Sequence, residues 1–315
     1  MCNPEKIERA ACLTAIAMLL AAGPAAAGAV KTIEAPKGAT VVIETRSGQV
    51  ELSGWARDEV KVESSADDVR VLVEGQVVRI GIGMKEWAGK LKAEQAEQAE
   101  KAEQGEQGDE SGSAAAAGDL RVQVPKGASV RVSTLSGDIA VEGLEGRCEL
   151  KSVSGEVKIA SCSGPVKAKS VSGDVTLRAL RGGLEASSVS GDVRGEDIRA
   201  DSLETKSVSG GVELAGVHAG RVRLKSHSGD VHYRGELGAD GGLEAKSFSG
   251  DIAIELPSGA GFELSAQSRS GSVLVGFPLQ AEERSEHRAR GRAGAGGAEL
   301  ELATFSGDIS VRSSK

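Results

Sequence analysis

Six aspartates recur behind the same dipeptide: Asp138, Asp174, Asp192, Asp230, Asp251 and Asp308 each follow Ser-Gly. Carboxylates at a regular spacing can form a ladder that holds Ca²⁺, as the Gly- and Asp-rich repeats of calcium β-rolls do. Those rolls need Gly-Gly-x-Gly-x-Asp about twice in every 18 residues, whereas this chain carries a shorter motif once per repeat. The spacing therefore predicts turn aspartates, each bonding its own backbone while the glycine supplies a positive φ. Lys151, Lys169, Lys206, Lys225 and Lys246 stand three residues before the serine, so a basic stripe runs beside the acidic one. Such a stripe could hold a polyanionic glycan. Solvation of an outward face explains it as well, and exposed ion pairs of this kind contribute roughly 0–1 kcal/mol each.

The remaining reactive side chains form no site. Cys148 and Cys162 occupy positions that are aliphatic in other repeats, Cys162 matching Leu144, Leu180, Ile198, Val217 and Leu237. They read as small core residues, and a bridge between them stays open, because shared burial does not guarantee the Cα spacing that a disulfide needs. His218, His227 and His232 lack the spacing of zinc ligands. The chain has no Gly-x-Ser-x-Gly elbow, no His-Glu-x-x-His helix and no phosphate-binding loop. No catalytic, cofactor-binding or metal-binding residue is expected, and no cofactor.

The element that positions these columns is a repeat. Ser-Gly pairs begin at Ser136, Ser154, Ser172, Ser190, Ser209, Ser228, Ser249, Ser270 and Ser306, at spacings of 18, 18, 18, 19, 19, 21, 21 and 36 residues, with a further copy at Ser47. Near-constant spacing in this range marks a solenoid. Three residues after the serine stand Val50, Ile139, Val157, Val175, Val193, Val212, Val231, Ile252, Val273 and Ile309, all β-branched; the position two further on is nearly always apolar. Six residues before the serine stand Val41, Val130, Cys148, Val166, Leu184, Leu203, Val222, Leu243, Leu264 and Leu300, and two before it every copy has Ser or Thr. Alternation of this kind predicts two short strands per coil with one buried face. The small inward hydroxyls are expected to narrow the corner and to bond one another along the stack. The fold class is all-β: a single-stranded parallel β-solenoid of short 18–21-residue coils with Ser-Gly-Asp corners. With only 2% aromatic residues, its core must be thin and filled by Val, Leu, Ile and Ala.

Lys6 and Arg9 precede an uncharged run over 10–22, and Ala25, Ala26 and Ala27 follow. This predicts a secretory leader over 1–27, with no membrane span once it is removed. Residues 28–84 then read as an N-terminal β segment with the first coil and a cap. The Ala/Glu/Gln-rich stretch over 85–118 reads as a disordered insertion, and 119–315 as the repeat domain, with a second insertion at 280–297. A net charge of −8 without a long basic stretch excludes a nucleic-acid partner.

These residues resemble the DUF4097 family, known as a candidate adhesin family of β-strand repeat proteins. The resemblance rests on the run from Ile43 to Trp55, on the serial Val-Ser-Gly-Asp-Val coils, and on a tail containing Gly276-Phe277-Pro278-Leu279 and Thr304-Phe305-Ser306-Gly307-Asp308-Ile309. It implies the solenoid fold and adhesion, and it carries no catalytic residues. The expected function is that of an exported, non-catalytic binding or scaffolding module of the cell envelope, located in the periplasm, at the cell surface or outside the cell. Its partner would be an envelope polymer, a glycan or a protein. The alternative is a periplasmic envelope-stress or structural protein that self-associates through its coil ends. A β-helical polysaccharide-active enzyme comes last, since those enzymes localise a carboxylate or basic cluster and here the acidic residues are spread along the stack.

Overall fold

The computed structural model describes residues 29–36, 38–66, 69–82 and 118–314. The leader assigned to 1–27 and nearly all of the insertion assigned to 85–118 lie outside the described residues. Among the described residues, twenty-four strands form one continuous sheet, most of them paired in parallel. No helix is long and apolar enough to cross a membrane among the described residues.

Each coil is named here for its corner serine. In the leading strands, before the corner, Val130, Cys148, Val166, Leu184, Leu203, Val222 and Leu243 stand in register one above the next. In the trailing strands, after the corner, Ile139, Val157, Val175, Val193, Val212, Val231 and Ile252 do the same. These β-branched and aliphatic columns are fully buried or nearly so. Stacking coil on coil at about 4.8 Å gives the inward side chains of the central coils apolar neighbours above and below and pairs their backbones on both sides. That is why a core almost without aromatics suffices. Its large rings are confined to the last coils, where Phe262 meets Phe277 edge-on at 5.1 Å, and to Tyr233.

Three features differ from the expected outline. Coils have a third, shorter side: Leu180-Arg181 pairs with Ile198-Arg199, and those with Val217-His218. The bend into it places a column of residues in the left-handed region, Gly143 (φ 72°), Ser161 (55°), Ala179 (52°), Asp197 (53°) and Gly216 (64°). Leu237 does not continue the column of Val217, which pairs with Gly235; Leu237 pairs with Ala219 instead. A Cβ at Gly235 would lie 2.2 Å from the Val217 carbonyl oxygen and 2.9 Å from the Tyr233 hydroxyl, so the close backbone approach and the tyrosine leave no room for a side chain there.

The last coil is also out of sequence order. The Ser306 coil lies between the Ser249 and Ser270 coils: Leu243 pairs with Leu300 and Leu300 with Leu264, while Ile252 pairs with Ile309 and Ile309 with Val273. The chain builds the Ser270 coil at a distance and folds Leu279–Arg284 and Arg288–Ala293 as a hairpin whose second strand lies antiparallel to Phe262–Ser268. It then returns to fill the gap. At the other end, Ala29–Glu34 lies antiparallel to Glu59–Ser64, and Arg70–Glu74 to Val77–Gly81. Both ends of the stack thus carry antiparallel strands that cover a parallel edge, at the Ser270 end that of the leading strand, while Val273–Val275 pairs with Ile309–Val311 alone among the described strands.

Candidate functional site

The Ser-Gly-Asp corner is consumed by structure. In most coils the hydroxyl two residues before the serine points inward and donates to the corner glycine carbonyl of the preceding coil: Ser188 to Gly173 at 2.9 Å, Ser207 to Gly191 and Ser226 to Gly210 at 3.1 Å, and Thr304 to Gly250 at 3.1 Å, whereas Thr45 donates to the Ser47 carbonyl and Thr134 has no partner. The hydroxyls do not bond one another, as the alternation alone suggested. The glycine is required by close approach: a Cβ at Gly155, Gly173, Gly191 or Gly210 would overlap the carbonyl oxygen of the glycine one coil before. Of these corner glycines, only Gly48 lies well inside the left-handed region, at φ 103°.

The aspartates reach between coils, not to their own backbone. Asp138 Oδ1 accepts from the Glu156 N–H at 2.9 Å, Asp174 from Asp192 at 2.9 Å, Asp192 from Gly211 at 2.8 Å and Asp230 from Asp251 at 2.9 Å. Asp251 then accepts from Asp308 and Asp308 from Ser272, in the order of the rearranged stack. This backbone bond, helped by Arg194, holds the Asp174 carboxyl below the usual range, and the Ser272 N–H does the same for Asp308. No group of three or more His, Cys, Asp or Glu side chains suited to a metal occurs among the described residues.

The lysine stripe is balanced locally. Lys151 pairs with Glu149 at 2.9 Å, Lys206 with Glu204, and Lys246 with Glu244 at 3.0 Å and Glu301 at 2.8 Å. The partners are glutamates two residues earlier or in neighbouring coils, not the corner aspartates. Arg223 and Lys246 both hydrogen-bond Glu244 and hold it at about 2.

What the corner leaves exposed is the residue immediately before the serine. Leu135, Val153, Val171, Val189, Val208, Phe248 and Phe305 occupy this position, each between 42% and 56% exposed. His227 fills the same position in its coil and stacks on Phe248 at 5.0 Å; Phe248 stacks on Phe305 at 4.9 Å, and the Arg269 guanidinium covers Phe305 at 5.4 Å. Eight consecutive coils therefore present one edge, apolar in seven of them and interrupted by the His227 imidazole, aliphatic at one end and aromatic at the other. The ring faces are used up on each other, so the aromatic end offers ring edges to a partner. The sequence carried the signal: when the hydroxyl two before the serine faces inward, alternation turns the next residue outward, and that residue is apolar in most coils.

The geometry is that of a repeated scaffold, and the family match covers the same stretch. The Toastrack DUF4097 model matches residues 37–194, 166–241 and 182–312. The chain belongs to the Toastrack DUF4097 family. No functionally curated protein matches the sequence. Among solved structures, a candidate cell adhesion protein from Clostridium sporogenes is 12% identical, with 91% of this chain and 100% of that one covered and a TM-score of 0.22. A candidate lipid binding protein from Parabacteroides distasonis is 15% identical, covering 92% and 97% with a TM-score of 0.44. A candidate adhesin from Bacteroides fragilis is 13% identical, covering 92% and 99% with a TM-score of 0.43. The fold assignment rests on the family match and the strand pairing, not on these neighbours.

Within this Toastrack chain, Cys148 and Cys162 are buried free thiols. They donate to the Gly146 and Ala160 carbonyls, and the neighbouring Cys162 thiol together with burial pushes the Cys148 thiol up. The three histidines are kept apart: His218 pairs with Glu236 at 3.1 Å on the third side, His227 lies on the corner edge and His232 on a trailing strand.

Proposed function

We infer that this chain is an exported, non-catalytic binding module of the cell envelope, adhesin-like in its mode of action, and that its working surface is the apolar corner edge. The observation that carries the reading is the column from Leu135 to Phe305, apolar in every coil but that of His227 and half exposed on a rigid ladder. Soluble proteins rarely expose long contiguous apolar strips, and those they do expose commonly mark interaction sites. The polar residues of the corner are engaged in holding one coil to the next, which leaves the apolar edge as the repeated feature free to meet a partner. Export is supported by Lys6, Arg9, the uncharged run over 10–22 and the small residues Ala25 to Ala27. A catalytic role has no support, since the acidic and basic side chains repeat along the stack and converge on no single reacting centre.

The test is fractionation of cells expressing a tagged copy from its own promoter, with protease shaving of intact cells. Recovery outside the cytoplasm with loss on shaving supports surface adhesion. Protection in the soluble periplasm would move the module to an internal envelope partner, and recovery in the cytoplasm would overturn the reading.

A further inference from the structure

We propose that the partner of the corner edge is a second copy of the chain, packed side by side in parallel about a two-fold axis that runs along the solenoid. The inference rests on the reading that this edge is a binding surface.

Three observations select that occupant. The first is pitch. Leu135, Val153, Val171, Val189, Val208, His227, Phe248 and Phe305 repeat at the ladder spacing of about 4.8 Å, and a second copy repeats at the same spacing by construction. Two such columns stay in step over their whole length, as identical side chains do between paired sheets in a dry zipper.

The second is the charge on either side of the edge. At four of the eight corners, those of Ser154, Ser172, Ser228 and Ser249, the chain runs from lysine, through the residue of the edge and the serine, to an acidic residue. Lys151 and Glu156 flank Val153, Lys169 and Asp174 flank Val171, Lys225 and Asp230 flank His227, and Lys246 and Asp251 flank Phe248. At these corners the lysines, each also paired with a glutamate of the leading strands, lie on the leading-strand side and the corner acids on the trailing-strand side. A two-fold along the solenoid sets the lysines of one copy opposite the acidic residues of the other. A two-fold across the solenoid would set lysine against lysine and aspartate against aspartate. Charge complementarity therefore selects the parallel pair. The same operation brings the aromatic end to the aromatic end, whereas the antiparallel pair would place Leu135 against Phe305.

The third is the state of the coil ends, where antiparallel strands cover the edge at the first coil and the leading-strand edge at the Ser270 coil. Lateral pairing leaves those caps in place. The strip crosses eight coils, about 34 Å, and at about 15 Å wide it would bury about 1,000 Å² over both copies, near the lower bound for a specific interface. A reversible, concentration-dependent dimer follows from that size.

The experiment combines sedimentation of the purified full chain over a range of concentrations with cross-linking of Leu135→Cys and Phe305→Cys, the unsubstituted chain serving as the control for its own thiols. In a parallel pair each substituted chain cross-links to itself at both ends of the edge. In an antiparallel pair these positions cross-link only when the two variants are mixed. The expected result is a dimer that grows with concentration, self-cross-linking of each variant, and at least about a tenfold rise in dissociation constant for Val171→Asp combined with Val189→Asp. A monomer at every concentration, or cross-links only in the mixture, overturns the proposal. Should the chain be monomeric while the double aspartate variant still loses binding to an envelope fraction, the second copy is excluded and the edge stands as a binding surface. If that variant keeps both dimer and envelope binding, both statements fall.

Discussion

The Ser188 hydroxyl donates to the carbonyl oxygen of Gly173 at 2.9 Å, joining one corner to the next across 15 residues of sequence. Repeated along the stack, this bond fixes how closely successive corners approach. It therefore fixes the line on which the exposed apolar residues stand.

Removing it should be measurable. Ser188→Ala is expected to cost about 1 kcal/mol, the usual net worth of an intramolecular hydrogen bond. Thr134, in the same column, has a buried hydroxyl without a partner. Thr134→Val should consequently be close to neutral, within about 0.5 kcal/mol. Urea unfolding of the two variants against the parent checks the contrast, and equal losses would show that the hydroxyl column is not held by these bonds.

Backbone changes should act in opposite directions at the two bends. Gly173→Ala drives a methyl into the Gly155 carbonyl and is expected to destabilise by about 2–3 kcal/mol. Ala179 sits at φ 52°, where an L residue carries strain that glycine avoids, so Ala179→Gly should stabilise by up to about 1 kcal/mol. Thermal melts of both variants test the pair, and a loss at Ala179→Gly would contradict the assigned bend.

The acidic columns make stability depend on pH. Asp174 and Glu244 are both depressed in the folded state, Glu244 to about 2. A depressed carboxylate contributes stability that is fully present above its unfolded value and is lost as pH falls through its folded value. Stability should therefore decline from about pH 4.5 towards about pH 2. Asp174→Asn keeps an acceptor for the Asp192 N–H but loses the charge that meets Arg194 at 2.7 Å. Its melting temperature should lie below the parent's at neutral pH and converge with it in acid. A constant gap would show that the charge of Asp174 plays no part.

The inward columns were legible because alternation about a recurrent Ser-Gly leaves one register that buries Val, Ile and Leu. Less legible was anything that depends on which coil lies next. Asp138 and Asp174 look like turn residues until the neighbouring N–H, 18 residues away, is in place. The Ser306 coil could not be placed before the Ser270 coil from its residues, because every coil presents the same inward pattern and the stack accepts any order locally. The left-handed bend at Ser161, Ala179 and Asp197 was hidden since none of these residues is glycine. The corner edge differs: Val153, Val171 and Val189 could have been assigned outward from alternation, but the charged columns on either side suggest binding chemistry more readily than a row of valines does.

The measurement that bears most directly on the account is binding of the purified full chain to an envelope fraction, comparing the parent with Val171→Asp combined with Val189→Asp. Both side chains are exposed, so circular dichroism and melting temperature should match the parent. The account predicts at least about a tenfold loss of binding with the fold unchanged. Undiminished binding by a folded double variant would contradict the assignment of the corner edge as the working surface.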